Sequence, residues 1–247
     1  MRKNIIACLL FIISSNLLAQ DYDSNQNVDE FTNSIDFSKV QFGIKITPAI
    51  AWLNVVHNNM TAEGATMKFG IGAVANYPLT SFLSFVSGIN YHGFGGYVFD
   101  NKSLNYVDTL GSYKINYKEI EIPIALKLQT LPLRKTSYFL QGGFSVGFIA
   151  NSNEKFTLKV PNSDPKYNDI NLYTNPIRIS YQVGAGMQYW IGKTSNIFAL
   201  ISYNNAITNI ANNYNYTTTI LPNLTPRYNS RIEILPGSME FSVGVMF

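Results

Sequence analysis

The chain repeats one pattern eight times: apolar and polar residues alternate over roughly ten positions, and a turn-forming or polar segment follows. The clearest stretch runs from Glu119 to Gln129 (E-I-E-I-P-I-A-L-K-L-Q), where an isoleucine or leucine fills every second position. Side chains alternate across a strand with a period of two, so the pattern predicts strands with one apolar face. A tilted strand crosses a bilayer in about 9–11 residues. The other predicted strands are 40–50, 66–77, 82–94, 137–150, 177–190, 196–206 and 239–247.

The connections between these strands alternate in length. The links after the second, fourth and sixth strands are short, whereas the other four are long, polar and rich in asparagine: 51–65, 95–112, 151–176 and 207–237. Short periplasmic turns and long outer loops are the layout of a bacterial outer-membrane barrel. We therefore predict an all-β fold, a transmembrane antiparallel up-and-down β-barrel of eight strands. A hairpin in the last loop, built from 214–220 and 231–235, would raise the number to ten.

The N-terminal residues predict export. Arg2 and Lys3 precede an apolar run at 5–13 and a zone of small residues, which is the pattern of a secretory signal peptide over 1–20. A membrane-anchoring helix is the alternative, but the apolar run is far shorter than the roughly 20 residues that a helical span needs. Residues 21–38 are acidic and polar, and we interpret them as a flexible periplasmic segment before a barrel domain at 39–247.

The composition fits a chain that faces lipid. Charged residues make up 13% and aromatic residues 14% of the sequence, against about 25% charged residues in soluble domains. The 18 Lys and Arg nearly balance the 15 Asp and Glu, so nothing predicts a nucleic-acid partner. The one cysteine, Cys8, lies in the leader, which excludes disulfides from the mature chain. We predict the outer membrane as the location, with membrane lipid and the barrel-insertion machinery as partners.

The polar face of the strands is rich in glycine, and an eight-stranded barrel has room only for a packed interior. We therefore place this face inward. The charges on it would be enclosed together and should pair across the lumen, because an unpaired buried charge is very costly. The predicted lumen charge network is Lys45, Lys68, Glu119, Glu121, Lys127, Arg178 and Glu240. The inverted alternative, a soluble lipocalin-like barrel, would have a nearly uncharged outer face, which is poor for solubility.

Few residues suggest catalysis or metal binding. His92 lies on the inward face near the outer end of the third strand, and a catalytic role would need a serine or carboxylate within hydrogen-bond reach. Glu119 and Glu121 share a face, which is compatible with an acid–base pair, but interior ion pairing is the favoured interpretation. His57 lies in a loop. Two histidines without cysteines predict no transition-metal site, and we predict no cofactor and no enzyme activity.

Several motifs carry a resemblance to a known family. The stretch from Tyr117 to Leu128 (Y-K-E-I-E-I-P-I-A-L-K-L) resembles the Y-L-E-I-P-L-L-L-K signature of the PorT-type outer-membrane β-barrel proteins of Bacteroidota, in which the proline belongs. The stretches 139–148, 181–189 and 201–210 also resemble this family, and they occur in the same order along the chain. The last strand, ending M-E-F-S-V-G-V-M-F, looks like the signal that the barrel-insertion machinery recognises. Its apolar residues are Phe241, Val243, Val245 and Phe247.

The proline in this signature, Pro123, conflicts with the rule that proline avoids paired strand interiors, so we expect either a bulge or one broken ladder bond there. The resemblance implies a structural or interaction role, with an association with protein secretion of the type IX kind, because one family member takes part in that export. The alternatives are a narrow channel for small solutes and a lipid-modifying outer-membrane hydrolase.

Overall fold

Nine antiparallel strands account for almost all of the chain that the structure describes. The structure is a computed structural model, and it describes residues 35, 39–56, 60–100, 110–159, 166–169, 175–211 and 233–247. The strands are β1 (Gln41–Val56), β2 (Met60–Pro78), β3 (Leu83–Asp100), β4 (Leu110–Gln129), β5 (Thr136–Lys159), β6 (Lys166–Asp169), β7 (Ile177–Trp190), β8 (Asn196–Ala206) and β9 (Glu233–Met246). The described residues include no helix that is long and apolar enough to cross a membrane.

Eight of the strands close into a barrel. The order β4-β3-β2-β1-β9-β8-β7-β5 is completed by the pairing of β5 with β4, so no edge remains open around the wall. The short β6 pairs only with the outer part of β5 and stands outside this circle. The prediction of an eight-stranded antiparallel barrel is confirmed. Of the extra hairpin considered in the last loop, Glu233–Leu235 belong to β9, whereas 214–220 lie outside the described residues.

The barrel is apolar outside and polar within. Phe69 on the outer wall is 67% exposed, whereas Glu119 on the inner wall is 0% exposed. Serine and asparagine side chains occupy buried inward positions where a soluble protein would place apolar residues. The inverted, lipocalin-like arrangement is therefore wrong. Exposed aromatic side chains surround the end with short turns, as expected for a girdle at the membrane interface: Phe42, Tyr77, Phe82, Tyr138, Tyr189 and Phe247.

The strands extend much further than their apolar alternation predicts. Much of the segments 51–65, 95–112 and 151–176, expected as loops, is strand: β1 continues to Val56, β3 to Asp100 and β5 to Lys159. The reason is that backbone hydrogen bonds continue the ladder beyond the apolar outer rows, while Ala51, Leu53 and Val98 turn into the lumen. By contrast, the bounds of β7 and β8 are the predicted ones.

Pro123 interrupts one ladder without forming a bulge. On one side, the register between β3 and β4 is the same before and after the proline, with Ser87 opposite Ile124 and Asn90 opposite Glu121. On the other side, Pro123 pairs with Ser145 of β5 in an unbroken register. The hydroxyl of Ser87 donates to the Pro123 carbonyl oxygen at 2.9 Å. Of the two expectations, the broken ladder bond is therefore the one observed, with a serine hydroxyl in place of a backbone donor.

Candidate functional site

Four ionisable side chains from three strands meet inside the outer half of the barrel. They are His92 of β3, Glu119 and Glu121 of β4, and Arg178 of β7, and we call them the ionic quartet. All four are buried, with 7%, 0%, 1% and 3% of their surface exposed, respectively. The alternation of each strand turns these residues inward, and the strand register brings them to the same height. Fully buried charges are tolerated only when they are paired and hydrogen-bonded.

Arg178 holds both carboxylates. Its Nε donates to Glu119 Oε2 at 2.9 Å, and its Nη2 donates to Glu121 Oε2 at 2.9 Å and also to Glu119 Oε1. Two bonds from one guanidinium to one carboxylate form the bidentate arrangement that gives the strongest charge-assisted pairs. His92 Nε2 lies 2.8 Å from Glu119 Oε1 and 3.3 Å from Glu121 Oε2. Each carboxylate is therefore shared between two nitrogen-bearing partners.

Neutral amides complete the hydrogen bonding around the ionic quartet. Asn204 of β8 donates to Glu121 Oε2 at 3.3 Å, and Asn90 of β3 donates to Glu121 Oε1 at 3.3 Å. Asn204 also accepts a hydrogen bond from Arg178 Nη1 at 3.3 Å. A glycine makes the room: a Cβ on Gly147 would lie 2.8 Å from the Glu119 carboxyl carbon, so any larger residue would displace this carboxylate. This observation gives a reason for the glycine-rich inner face.

The other predicted network residues are divided among three places. Lys45 and Glu240 line the lumen next to the ionic quartet, with Lys45 close enough to attract Glu121, and Glu240 close enough to attract Arg178. Glu240 accepts a hydrogen bond from the Ser238 hydroxyl at 2.9 Å. Lys127 lies nearer the short turns, where its Nζ donates to Gln188 Oε1 at 2.6 Å and stands 4.6 Å from the centre of the Phe139 ring.

The prediction that Lys68 faces the lumen is wrong. The pairing of β2 with β3 is interrupted between Ala65 and Gly70, and Lys68 lies in this interval. Its Cδ is 3.5 Å from the position of an added Cβ on Gly93, and its Nζ donates to Asn116 Oδ1 at 2.5 Å. Because the ladder is open there, the lysine side chain passes over a glycine to the outer wall instead of pointing inward.

An apolar cluster closes the barrel above the ionic quartet. The centres of its Phe94 and Tyr117 rings are 5.0 Å apart, and the Arg178 guanidinium lies 5.0 Å from the centre of the Phe94 ring. We call this cluster the outer plug, and it consists of Ala51, Leu53, Phe94, Val98, Ile115, Tyr117, Ile210 and Ile234. Every member is at most 3% exposed, so water does not reach the charges through this end of the lumen.

A short segment after β8 forms hydrogen bonds with both strands that flank β8, and it supplies one residue of the outer plug. We call Ile207–Ala211 the outer strap. Ile207 N donates to Ile179 O of β7 at 2.8 Å, and Ile210 N donates to Ile234 O of β9 at 3.1 Å. The Asn209 Oδ1 accepts hydrogen bonds from the backbone N–H groups of Ala211 and Ile234. These bonds hold Ile210, which is 0% exposed, in the lumen.

A second apolar cluster lies below the ionic quartet. This inner plug consists of Phe139, Phe198, Leu200 and Met246. Closer to the short turns the Trp190 side chain is 2% exposed, and its Nε1 donates to the Ser137 hydroxyl at 3.1 Å. A cavity of about 30 Å³ beside the inner plug is lined by Lys45, Asn90, Gln182 and Glu240 among others, which is room for about two waters.

The ionic quartet has the chemistry of an ion-pair network. His92, Glu119 and Glu121 bring one possible ligand atom each to within 4.8 Å of one another. A metal ion would, however, have to displace Arg178, which already binds the carboxylate oxygens that face His92. The sequence did not reveal that two carboxylates lie within hydrogen-bond reach of His92. A catalytic dyad also needs a nucleophile and access for a substrate, and the outer plug covers this histidine.

The remaining predicted site residues lie on the last strand and in the first loop. Phe241, Val245 and Phe247 are exposed on the outer wall, and Val243 is partly exposed in the same row. The backbone of Phe247 exchanges two hydrogen bonds with that of Phe42, at 2.8 and 3.0 Å, and so completes the seam between β9 and β1. His57 lies outside the described residues.

A closed, inside-out barrel with a filled, polar interior is the design of an outer-membrane barrel protein. The sequence matches the family described as outer membrane protein beta-barrel domain over residues 18–212, and the chain belongs to this family. Its location is accordingly the outer membrane. A search of curated proteins found no match.

Several solved structures have a similar fold. Neisserial surface protein A shares 14% identity over 83% of this chain and 97% of its own, with a TM-score of 0.39. OprG from Pseudomonas aeruginosa shares 10% sequence identity over 85% of this chain and 97% of its own, with a TM-score of 0.48. The outer membrane protease OmpT from Escherichia coli shares 11% sequence identity over 84% of this chain and 96% of its own, with a TM-score of 0.45. Similarities this low transfer no activity or partner to this chain.

Proposed function

We propose that this protein is a closed outer-membrane barrel with a structural or interaction role, and that it conducts no solutes. The observation that carries this proposal is the filled lumen, in which the outer plug, the ionic quartet and the inner plug follow one another along the axis. An eight-stranded barrel has an interior just wide enough for side chains to fill. In the alternative of a narrow solute channel, both the outer plug and the inner plug would have to move out of the lumen.

Conductance measurements test the closed state. We expect the purified protein in planar lipid bilayers to give no stable single-channel openings, because two apolar layers exclude hydrated ions. A porin inserted in the same bilayer is the positive control. Reproducible openings of uniform size from this protein would contradict the proposal and favour the channel.

The outer strand extensions are the part of the chain that is available for interaction. β4 has 20 residues and β5 has 24, whereas a tilted strand crosses a bilayer in about 9–11 residues. The β4–β5 ladder therefore rises well above the membrane, and β6 widens it. We propose that the chain is of the PorT type and that this raised sheet contacts components of a type IX-like secretion complex.

Site-specific crosslinking in intact cells tests this contact. A photo-crosslinking residue in place of Asn151, exposed where the raised part of β5 begins, should capture secretion-complex subunits. The matched control is the same residue in place of Lys193, in an exposed short turn at the other end of the barrel. Capture of lipopolysaccharide alone, or the same proteins from both positions, would reject the secretion role and leave a free-standing barrel.

We also propose roles for the two ends of the chain. Residues 1–20 act as a signal peptide and 21–38 as a periplasmic segment, which N-terminal mass spectrometry of the mature protein tests. The row Phe241, Val243, Val245 and Phe247 is the signal for the insertion machinery. Replacing Phe247 with Ala keeps the backbone seam but should lower the amount of inserted protein, whereas Phe42→Ala, at the same level on β1, should not. Equal insertion of the Phe247→Ala variant and the unchanged protein would contradict this role.

A further inference from the structure

The outer wall carries three lysines close to one another, beyond the end of the apolar row of β4. Lys114 and Lys118 occupy exposed positions on β4, on the same face as Ile120 and the apolar row that continues towards the short turns. Asn116 lies between them on this face. The Lys68 side chain joins them from β2, because its Nζ is held at Asn116 Oδ1 at a distance of 2.5 Å. We call Lys68, Lys114 and Lys118 the lysine cluster.

The strand pairing around Gly93 makes this convergence possible. Gly93 lies opposite Lys118 in the β3–β4 ladder, and the interrupted pairing of β2 with β3 leaves space beside it. The stem of Lys68 crosses this space in van der Waals contact with the position that a Gly93 side chain would occupy. Gly95, with a φ of 149°, belongs to the same irregular stretch. The fold therefore brings a lysine of β2 to the outer face of β4.

The lysine cluster brings three positive charges to one part of the outer wall. Lys114 repels Lys68 electrostatically, and the Lys114 Nζ stands 5.4 Å from the centre of the Tyr97 ring. Within the described part of the chain, no carboxylate forms an ion pair with any of the three lysines. Like charges that are held together in this way are unfavourable unless an anion lies between them.

The position of the lysine cluster decides which anion fits. On β4, the apolar row ends at Ile120 on the side away from the short turns. Lys118 lies two positions beyond this end, or about 7 Å along the strand. Because the apolar band of a barrel matches the hydrocarbon layer, we infer that Lys118 lies where the headgroups of the outer leaflet begin. We propose that the lysine cluster binds the phosphate groups of the outer-leaflet glycolipid, with the acyl chains lying along the apolar wall below. Three ammonium donors around one amide suit a phosphate, which accepts several charge-assisted hydrogen bonds.

Lipid binding to the purified protein tests this site. The protein in a non-ionic detergent is titrated with bisphosphorylated lipid A, and bound lipid is counted by native mass spectrometry. A variant with Lys68, Lys114 and Lys118 all replaced by Gln should bind lipid A about a hundredfold more weakly. Each lysine is expected to contribute about fivefold in affinity, and the three contributions multiply. The matched control replaces Lys39, Lys135 and Lys193, near the short-turn end, with Gln. It removes the same charge and should bind as the unchanged protein does.

A second variant keeps all three lysines. Asn116→Asp places a carboxylate beside Lys68 Nζ with little change of shape, and it should weaken binding by neutralising part of the lysine cluster. Lipid A without phosphates should bind weakly to every variant. The proposal is overturned if the lysine variant binds as tightly as the unchanged protein, or if the control loses as much. Displacement of lipid A by millimolar inorganic phosphate would show a site for free anions and overturn the assignment to lipid.

Discussion

Replacing Arg178 with Gln should lower the free energy of unfolding by about 3–5 kcal/mol, because it leaves two buried carboxylates without their cation. Glu119 and Glu121 are 0% and 1% exposed, so water cannot take over the role of the guanidinium. His92 would remain, but it reaches each carboxylate through a single nitrogen. Urea unfolding in detergent micelles, followed by tryptophan fluorescence, measures the loss.

Two further variants separate lost pairing from general damage to the barrel. Replacing Glu119 and Glu121 with Gln in the Arg178→Gln background removes the uncompensated charges and should restore most of the stability. Lys193→Gln removes an exposed positive charge and should change stability by no more than about 0.5 kcal/mol. If Arg178→Gln proves as stable as the unchanged protein, or if the triple variant is no better, the ionic quartet does not stabilise the barrel.

The second large effect concerns the outer plug. Phe94→Ala should cost about 3–5 kcal/mol, since it removes a buried aromatic ring and leaves a cavity in a packed cluster. The ring is 2% exposed and lies between Tyr117 and the Arg178 guanidinium. The same unfolding experiment measures the change.

Phe144→Ala is the matched control for the Phe94 variant. Phe144 is 59% exposed on the outer wall, where detergent fills the space that a removed ring leaves. Only the transfer contribution is then lost, and we expect about half the effect of Phe94→Ala. Equal losses at the two positions would mean that the outer plug is packed no more tightly than detergent, and would weaken the case for a closed lumen.

A closed lumen gives the proposed functions a common basis. A barrel that does not conduct offers its environment only its outer wall and its raised strands. In our proposal the lysine cluster contacts the lipid headgroups, and the β4–β5 ladder continues beyond it. Lipid binding would hold this side of the barrel at a defined height in the outer leaflet, so that the raised sheet meets partners in one orientation.

Much of the architecture could be predicted because lipid and lumen impose opposite demands on alternate residues. Each transmembrane strand records these demands locally, which is why β7 and β8 were predicted to their ends. The extensions of β1, β3 and β5 lack a regular apolar row on the outer face, so the alternation that marks a transmembrane strand is missing there. Strand pairing there depends on backbone hydrogen bonds, and these leave little trace in the sequence.

The sequence by itself determined the class of fold, the inward direction of Glu119, Glu121, His92 and Arg178, and the tight space that requires glycines beside them. Only the tertiary structure decided which charges meet. Arg178 lies 59 residues from Glu119, and their contact depends on the register of β4 with β5 and of β5 with β7. The same holds for Lys68. Its place in the alternation predicted an inward side chain, but the interrupted pairing of β2 with β3 allows the side chain to reach Asn116 on the outer wall. Alternation is a property of a single strand. The level of a residue along the barrel axis and the interruptions in strand pairing depend on how all the strands are paired.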